Sequence, residues 1–335
     1  MHPSEASIMN LEIKTLDWQE LLAESPYSNA FQTEEMYNFL SSLGCLRSFL
    51  SYVRNSYGKL VGLAVGYIQA EKGIKKHFSR RAIIQGGLLL AKDISEGELK
   101  TLLEDIKKKT SSAIYVEIRN NADYSEYKEI FQKYGFEYRP HLNCIIDCSD
   151  ADQAFKNMNE SRRRQVRIAT ESEYEVKMAE INAEVDEFYS LLANHYKNKV
   201  KKPLFPKEFF AQILAQKVGE IMLIKVNGRI VSGMLQLMHE KTVYDYYVFG
   251  LDTQYPNNYP SVLVYWETIK RASALSYTTF DTMGAGTPGQ AYGVRDFKLR
   301  FGSHLVEHGR FLSINKPLLY KLGTWAIKLM ELNKK

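Results

Sequence analysis

One pattern occurs twice along this chain, and that constrains its fold more than any other feature. Residues 57–62 (Y-G-K-L-V-G) and 227–233 (N-G-R-I-V-S-G) each read as a tight turn at glycine, a basic residue and an apolar strand. A short strand precedes each turn, at 49–54 and 221–226, so both copies carry a hairpin signal. Downstream, 112–118 and 278–283 each read as a strand after a helix, and Gly135 and Gly302 each accompany an apolar-aromatic helical turn. Gly58 and Gly228 lie 170 positions apart, and Gly135 and Gly302 lie 167 apart. Shared order at a nearly constant offset points to duplication of one module.

Each copy predicts helix, hairpin, longer strand, helix, strand, helix, strand. In the first, helices are expected at 34–43, 96–109 and 125–134, with Ser95 and Glu98 spaced as a capping box. In the second they are expected at 185–197, 207–216, 262–274 and 293–300, with Pro206 and Pro260 at helix entries. A helix-like stretch without strand pattern runs from Asp150 to Glu175. The order implies an α+β fold in three layers, with mixed, mostly antiparallel sheets flanked by helices. A length of 335 residues exceeds what one core usually covers. The expected division is 1–150 and 151–314, with a helix from 315 to 335 packing on the first module.

The net charge of +5, from 44 basic and 39 acidic residues, is too small for a dedicated nucleic-acid coat. Three cysteines, Cys45, Cys144 and Cys148, argue against a disulfide framework and for a reducing compartment. No second cysteine pair completes a zinc site beside Cys144 and Cys148, and His304 and His308 lack a third ligand, so no metal is expected. Residues 1–10 are polar, without the apolar core of a secretory signal, and Met9 reads as an alternative start. The longest apolar run, 82–91, is too short to span a bilayer. A cytoplasmic protein is the expectation. In 317–334, Leu318, Leu322, Trp325 and Leu329 recur at helical spacing among lysines, which leaves peripheral membrane contact as one reading.

Chemistry concentrates at 292–302, which follows a strand at 280–284 and a loop of small residues at 285–290. Such a loop lets backbone amides approach a ligand, or simply connects to a helix with a solvated basic side. Asp245 sits mid-strand at 243–249, and alternation puts Val243, Tyr247 and Phe249 on its face. A carboxylate there would have a raised pKa and could accept an amine proton; the alternative is a satisfied buried acid bonded to a tyrosine. In the basic stretch 161–169, Arg162 falls inside the apolar stripe of Phe155, Met158, Val166 and Ala169, while Arg163, Arg164 and Arg167 point away. A buried arginine calls for an anionic partner, either an acceptor diphosphate or a structural ion pair.

The run G-V-R-D-F-K-L-R-F-G at 293–302 resembles the signature of the FemAB aminoacyltransferases and their acyltransferase relatives. F-Q-T-E-E at 31–35, Q-G-G at 85–87, S-R-R-R-Q-V-R-I-A at 161–169 and the stretch 259–266 resemble further family segments in the same order. The resemblance implies two GNAT-like modules and transfer of an aminoacyl or acyl group to an amine of a cell-envelope precursor. It places the chemistry in the second module, at Phe297 and Lys298. A fixed cation there would stabilise the oxyanion formed when an amine attacks an ester or thioester. Asp245 completes the expected catalytic set. Arg162, Arg167, Tyr247, Asp281, Gly284, Tyr292 and Arg295 are the expected substrate contacts.

Arg295 and Asp296 stand where the family usually has Tyr and Arg, and Leu299–Arg300 replaces a residue and Gly. The ordinary GNAT pyrophosphate loop is missing its glycines at 251–261, which counts against standard coenzyme A binding. No tightly bound cofactor is implied, and the donor is aminoacyl-tRNA or an acyl-coenzyme A. The acceptor would be a small-molecule precursor or a lipid- or nucleotide-linked one. A tandem protein that binds ligand without turnover is the rival.

Overall fold

The structure, a computed structural model, describes residues 13–70 and 79–332. The N-terminal segment 1–10 and the end of the expected C-terminal helix at Lys334 lie outside the described residues. The chain divides into two compact units. One comprises the described residues through Ser41, Leu46–Tyr138 and the chain from Phe311 onward; the other comprises Ser42–Cys45 and Arg139–Arg310. The division thus precedes Asp150.

The first unit contains α1 (Thr15–Glu24), α2 (Glu34–Ser42), β1 (Arg47–Arg54), β2 (Leu60–Gln69), β3 (Arg81–Gly86), β4 (Leu89–Leu90), α3 (Glu96–Thr110), β5 (Tyr115–Asn120), α4 (Lys128–Lys133) and β6 (Glu137–Arg139). The second contains β7 (Leu142–Asp147), α5 (Ala151–Asn157), α6 (Glu160–Glu171), β8 (Glu175–Met178), α7 (Asn182–His195), α8 (Lys207–Ala215), β9 (Glu220–Val226), β10 (Arg229–His239) and β11 (Thr242–Gly250). It continues through α9 (Pro260–Ala274), β12 (Thr279–Gly284), α10 (Gly293–Leu299) and β13 (His304–Glu307); β14 (Arg310–Ile314) and α11 (Pro317–Leu332) then close the first unit.

The first sheet runs β1-β2-β3-β5-β14-β6, with β4 on β2; the second runs β13-β7-β12-β11-β10-β9-β8. Most pairings are antiparallel; β3/β5 in the first sheet and β11/β12 in the second are parallel. The turns at Gly58 and Gly228 have left-handed backbones, φ 82° and 73°, that glycine adopts without a Cβ penalty. Ser95 and Glu98 complete the capping box of α3 in both directions.

Two sheets flanked by helices make an α+β architecture. In the second unit, α9 packs across β9, β10 and β11, with α5 and α6 beside it. Its core joins Ile146, Met222, Ile224, Met234, Val264, Ile269 and Phe280. Aromatic rings of α7 and α8 cover other β11 side chains: Phe188 lies 5.5 Å from Phe249, and Phe210 lies 5.3 Å from Tyr247. All three cysteines are free, and burial pushes the Cys148 thiol up to about 12. Among the described residues, no helix is long and apolar enough to cross a membrane.

Candidate active site

The site forms where the one parallel pair of the second sheet comes apart. β11 and β12 pair over only three positions, Thr242↔Thr279 through Tyr244↔Asp281. Just past that point both strands lose regularity. On β11 an extra residue intervenes, because Leu235 faces Tyr247 while the adjacent Gln236 faces Asp245. On β12 the register with β7 shifts between Asp281 and Gly284, and Met283 adopts φ 61°. Bulges bend strands and re-aim side chains, and a left-handed non-glycine residue carries strain that its surroundings must hold.

The β11 bulge corrects one sequence expectation. Asp245 and its partner Gln236 face α9: Tyr265 donates its hydroxyl to Asp245 Oδ2, and Gln236 Nε2 donates to Thr268 Oγ1 at 2.8 Å. Tyr247 and Phe249 instead pack with Phe210 and Phe188 of α8 and α7. The inserted Tyr246 switches the alternation, so Tyr247 and Phe249 do not share the face of Asp245.

In the first unit the corresponding parallel pair stays closed. β3 and β5 keep register from Arg81↔Tyr115 to Gly86↔Asn120. Gln32, fully buried, accepts from Val65 N at 2.8 Å and donates to Val65 O at 3.2 Å and Gln85 O at 2.7 Å. A Cβ at Gly86 would come within 2.2 Å of Asn29 Oδ1, and one at Gly87 within 2.4 Å of the Tyr124 hydroxyl. Gln32 of the F-Q-T-E-E segment thus bridges β2 and β3 beyond their three paired positions, and the Q-G-G turn packs closely on Asn29 and Tyr124.

Lys298 closes the second-unit site. It extends from α10, is 5% exposed, and donates to the carbonyls of Thr282 and Gly284, the latter at 3.1 Å. Those carbonyls flank the strained Met283, so the ammonium takes the place of the lost strand pairing. Burial pushes the Lys298 ammonium down from its ordinary value, against the pull of Asp245, Cys144 and Asp281. Two of its three N–H groups are engaged by these carbonyls.

Burial raises the Asp245 pKa, opposed by Lys298 and by the Tyr265 hydrogen bond. Asp281 is pushed up to about 6, mainly by burial, although Met283 N donates to its Oδ1 at 2.7 Å. Asn143 donates to the other oxygen at 3.5 Å. Tyr196 senses Asp245 and Tyr292, and burial raises its pKa. Its ring lies 5.8 Å from that of Tyr247. Asp245, Asp281 and Lys298 therefore belong to one neighbourhood, which Tyr196 borders, while Tyr247 lies on the other face of β11.

Arg162 supports it from behind. Arg162 is 2% exposed, and its guanidinium packs against two mutually tilted rings, Phe297 at 4.4 Å and Phe301 at 4.3 Å. It donates to Phe297 O and Gln165 Oε1, both at 3.0 Å, and Nε has no partner. Burial, and then the like charge of Arg300, lowers its pKa to about 10. Aromatic faces and a carbonyl thus serve where an anionic partner was expected. Arg295 organises the loop before α10 by donating to Thr287 O at 3.1 Å and to Gln290 O. Arg167 lies elsewhere, in a groove of about 570 Å3 with Glu160, Ser161, Arg164, Gln165 and Tyr259.

Tyr265 escaped the sequence reading. Its signal is a tyrosine in a helix buried on nearly every side, where the hydroxyl must find a partner. The Asp252–Ser261 pair was missed as well. Asp252 accepts from Ser261 N at 3.0 Å and from Ser261 Oγ at 2.5 Å. Val262 N and Leu263 N both donate to Tyr259 O at 2.9 Å, and Pro260 has no N–H. The first turn of α9 has already used its donors.

Residues 156–298 match the family model described as an acetyltransferase (GNAT) domain. FemX superposes over 93% of this chain and 98% of its own, with a TM-score of 0.71 at 14% identity. This chain has a FemAB-like tandem GNAT fold. A tandem GNAT protein from the clavulanic acid biosynthesis pathway superposes over 91% and 96% of the two chains, with a TM-score of 0.57 at 8% identity. The C-terminal domain of a putative lysylphosphatidylglycerol synthetase from Agrobacterium fabrum covers 90% and 90%, with a TM-score of 0.56 at 12% identity. No curated protein matches the sequence. In this tandem GNAT fold the second copy holds the opened strand pair and the buried lysine, and the first holds neither.

Proposed function

We propose that this protein is an aminoacyltransferase that acylates an amine of a cell-envelope precursor, with aminoacyl-tRNA as donor. The observation that carries the reading is the joint burial of Asp245, Tyr265 and Lys298 where β11 and β12 part. The acceptor nitrogen attacks the donor ester carbonyl and forms a C–N bond. The developing oxyanion is stabilised by the ammonium of Lys298. Asp245 takes the proton from the amine, a role its raised pKa suits. The C–O ester bond then breaks, and the proton passes from Asp245 to the departing ribose oxygen, which leaves as a hydroxyl. Phe297 fixes the ring stack beside Lys298. Tyr292, Gly284 and Asp281 would border the reacting groups, with Tyr247 on the opposite face of β11, while the Arg167 groove would meet phosphate. The acceptor would be a peptidoglycan or polysaccharide precursor carried on a lipid or nucleotide, in the cytoplasm.

The donor assignment rests on α9. An ordinary GNAT enzyme offers free amides to the coenzyme A pyrophosphate, whereas here Asp252 and Tyr259 O occupy them. The rival donor is acetyl-coenzyme A, favoured by the family model over 156–298. Calorimetric titration with acetyl-coenzyme A separates the two. Saturable binding, competed by desulfo-coenzyme A, would overturn the tRNA assignment. The expected result is no saturable heat, together with transfer of radiolabelled amino acid from charged tRNA to an amine-bearing envelope precursor. Absence of transfer from either donor would support the non-catalytic alternative.

A further inference from the structure

The C-terminal helix α11 presents two different faces. Tyr320 holds it to the first unit, its ring edge-on to Tyr115 with centroids 5.5 Å apart. Just before the helix, Asn315 Nδ2 donates to Thr110 O at 2.9 Å and Lys316 Nζ to Ser112 O at 3.2 Å. At about 100° per residue, Leu318, Leu322 and Trp325 all fall within about 40° of the direction opposite Tyr320. They are 78%, 58% and 62% exposed. The same period puts Lys321, itself exposed, along one flank. Residues 316–335 carry five lysines and a single acid, Glu331.

An exposed stripe of leucines with a tryptophan is costly in water and needs a cover. Its charge identifies the cover. Packing against another copy of this helix would set lysines against lysines, whereas an anionic lipid surface neutralises them and receives the leucines and the indole at the headgroup boundary. We propose that α11 docks this protein on anionic membranes, lying in the interface plane on the Leu318–Leu322–Trp325 face. The inference does not depend on which acyl donor is used. A lipid-linked acceptor would be presented on the same surface.

Tryptophan fluorescence reads the docking directly, because Trp18 and Trp266 are buried and Trp325 is exposed. The full chain is mixed with vesicles of phosphatidylglycerol and phosphatidylcholine, and with vesicles of phosphatidylcholine alone. The expected result is a blue shift and co-sedimentation with the anionic vesicles, at least about tenfold weaker on the neutral ones and weakened by salt. Leu322→Glu should abolish both signals while circular dichroism stays unchanged. Trp325→Phe should retain sedimentation and lose the blue shift. Sedimentation of Leu322→Glu equal to wild type overturns the proposal, as does no binding of the wild type. A wild-type dimer that Leu322→Glu converts to monomer, with no vesicle binding, would assign the face to a second copy.

Discussion

Tyr265 donates its hydroxyl to Asp245 across the face of β11 that α9 covers, and the two residues reached that contact from an unremarkable helix and a bulged strand. The bond lowers the Asp245 pKa against the larger upward push of burial. Tyr265→Phe removes only the hydroxyl, so the carboxyl should lose its proton at higher pH than in the wild type. A base acts when deprotonated, so the acidic limb of the kcat/KM profile should move to higher pH while the plateau is retained. Asp245→Asn should reduce the plateau itself by about 10²–10⁴-fold. A Tyr265→Phe profile that superposes on the wild type would exclude Asp245 as the titrating base.

Lys298 has a structural task beside its proposed chemical one. It satisfies the carbonyls of Thr282 and Gly284 at the Met283 distortion. Lys298→Met keeps much of the volume but strands those acceptors, which should cost on the order of 2–3 kcal/mol of stability. Turnover measured well below the melting transition should still fall about 10²–10³-fold. Chemical denaturation separates the two effects. A folded Lys298→Met protein with wild-type turnover would leave the lysine a purely structural role.

Asp281 should make stability depend on pH in the opposite sense to an ion-paired carboxylate. Its folded pKa of about 6 lies above the ordinary value of 3.8. Between those values the folded state binds more protons than the unfolded state, so stability from this group is complete below the lower value and is lost as pH rises through the upper one. The full loss is on the order of 3 kcal/mol. Asp281→Asn cannot titrate. Its stability relative to wild type should therefore improve from pH 4 to about pH 7, as read by denaturant midpoints across that range.

Local periodicity made much of the fold legible. The hairpins at Gly58 and Gly228, the capped helix after Ser95 and the proline entries at 206 and 260 all depend on neighbouring residues, and each was readable. Strand partnership is not local. β7 follows β6 in sequence yet joins the second sheet, and β14 returns to the first between β5 and β6. Nothing in the composition of Leu142–Asp147 or Arg310–Ile314 indicates which sheet receives it. The site was half legible for the same reason. Asp245 stands out as a charge in an apolar strand and Lys298 only through the F-K of the family resemblance, but the bulge at Tyr246 reverses the face of Tyr247 without leaving a signal in the residue pattern. The first copy's F-Q-T-E-E segment drew notice as a motif, and its glutamine turns out to fasten β2 to β3.

Arg162 separates a structural cation from a ligand-binding one. Its guanidinium packs against both Phe297 and Phe301, and its two bonded nitrogens are fixed on Phe297 O and Gln165. A lysine cannot reproduce a stacked plane or the fork, and it buries a strongly hydrated charge in the same place. Methionine removes the charge, keeps a polarisable sulfur against the rings and leaves the Phe297 carbonyl and Gln165 Oε1 without their donor, of which half-buried Gln165 can turn to water. Stability should therefore fall in the order wild type, Arg162→Met, Arg162→Lys, with the lysine variant losing about 2–4 kcal/mol. If Arg162 instead held an acceptor diphosphate, the charge-preserving lysine would be the milder change, and the methionine variant would show the larger rise in acceptor KM. Denaturation midpoints and acceptor KM for the two variants decide the matter. The structural assignment fails if lysine proves the better substitute by both measures, because a planar cation packed on two rings has more to lose from the wrong shape than from a lost charge.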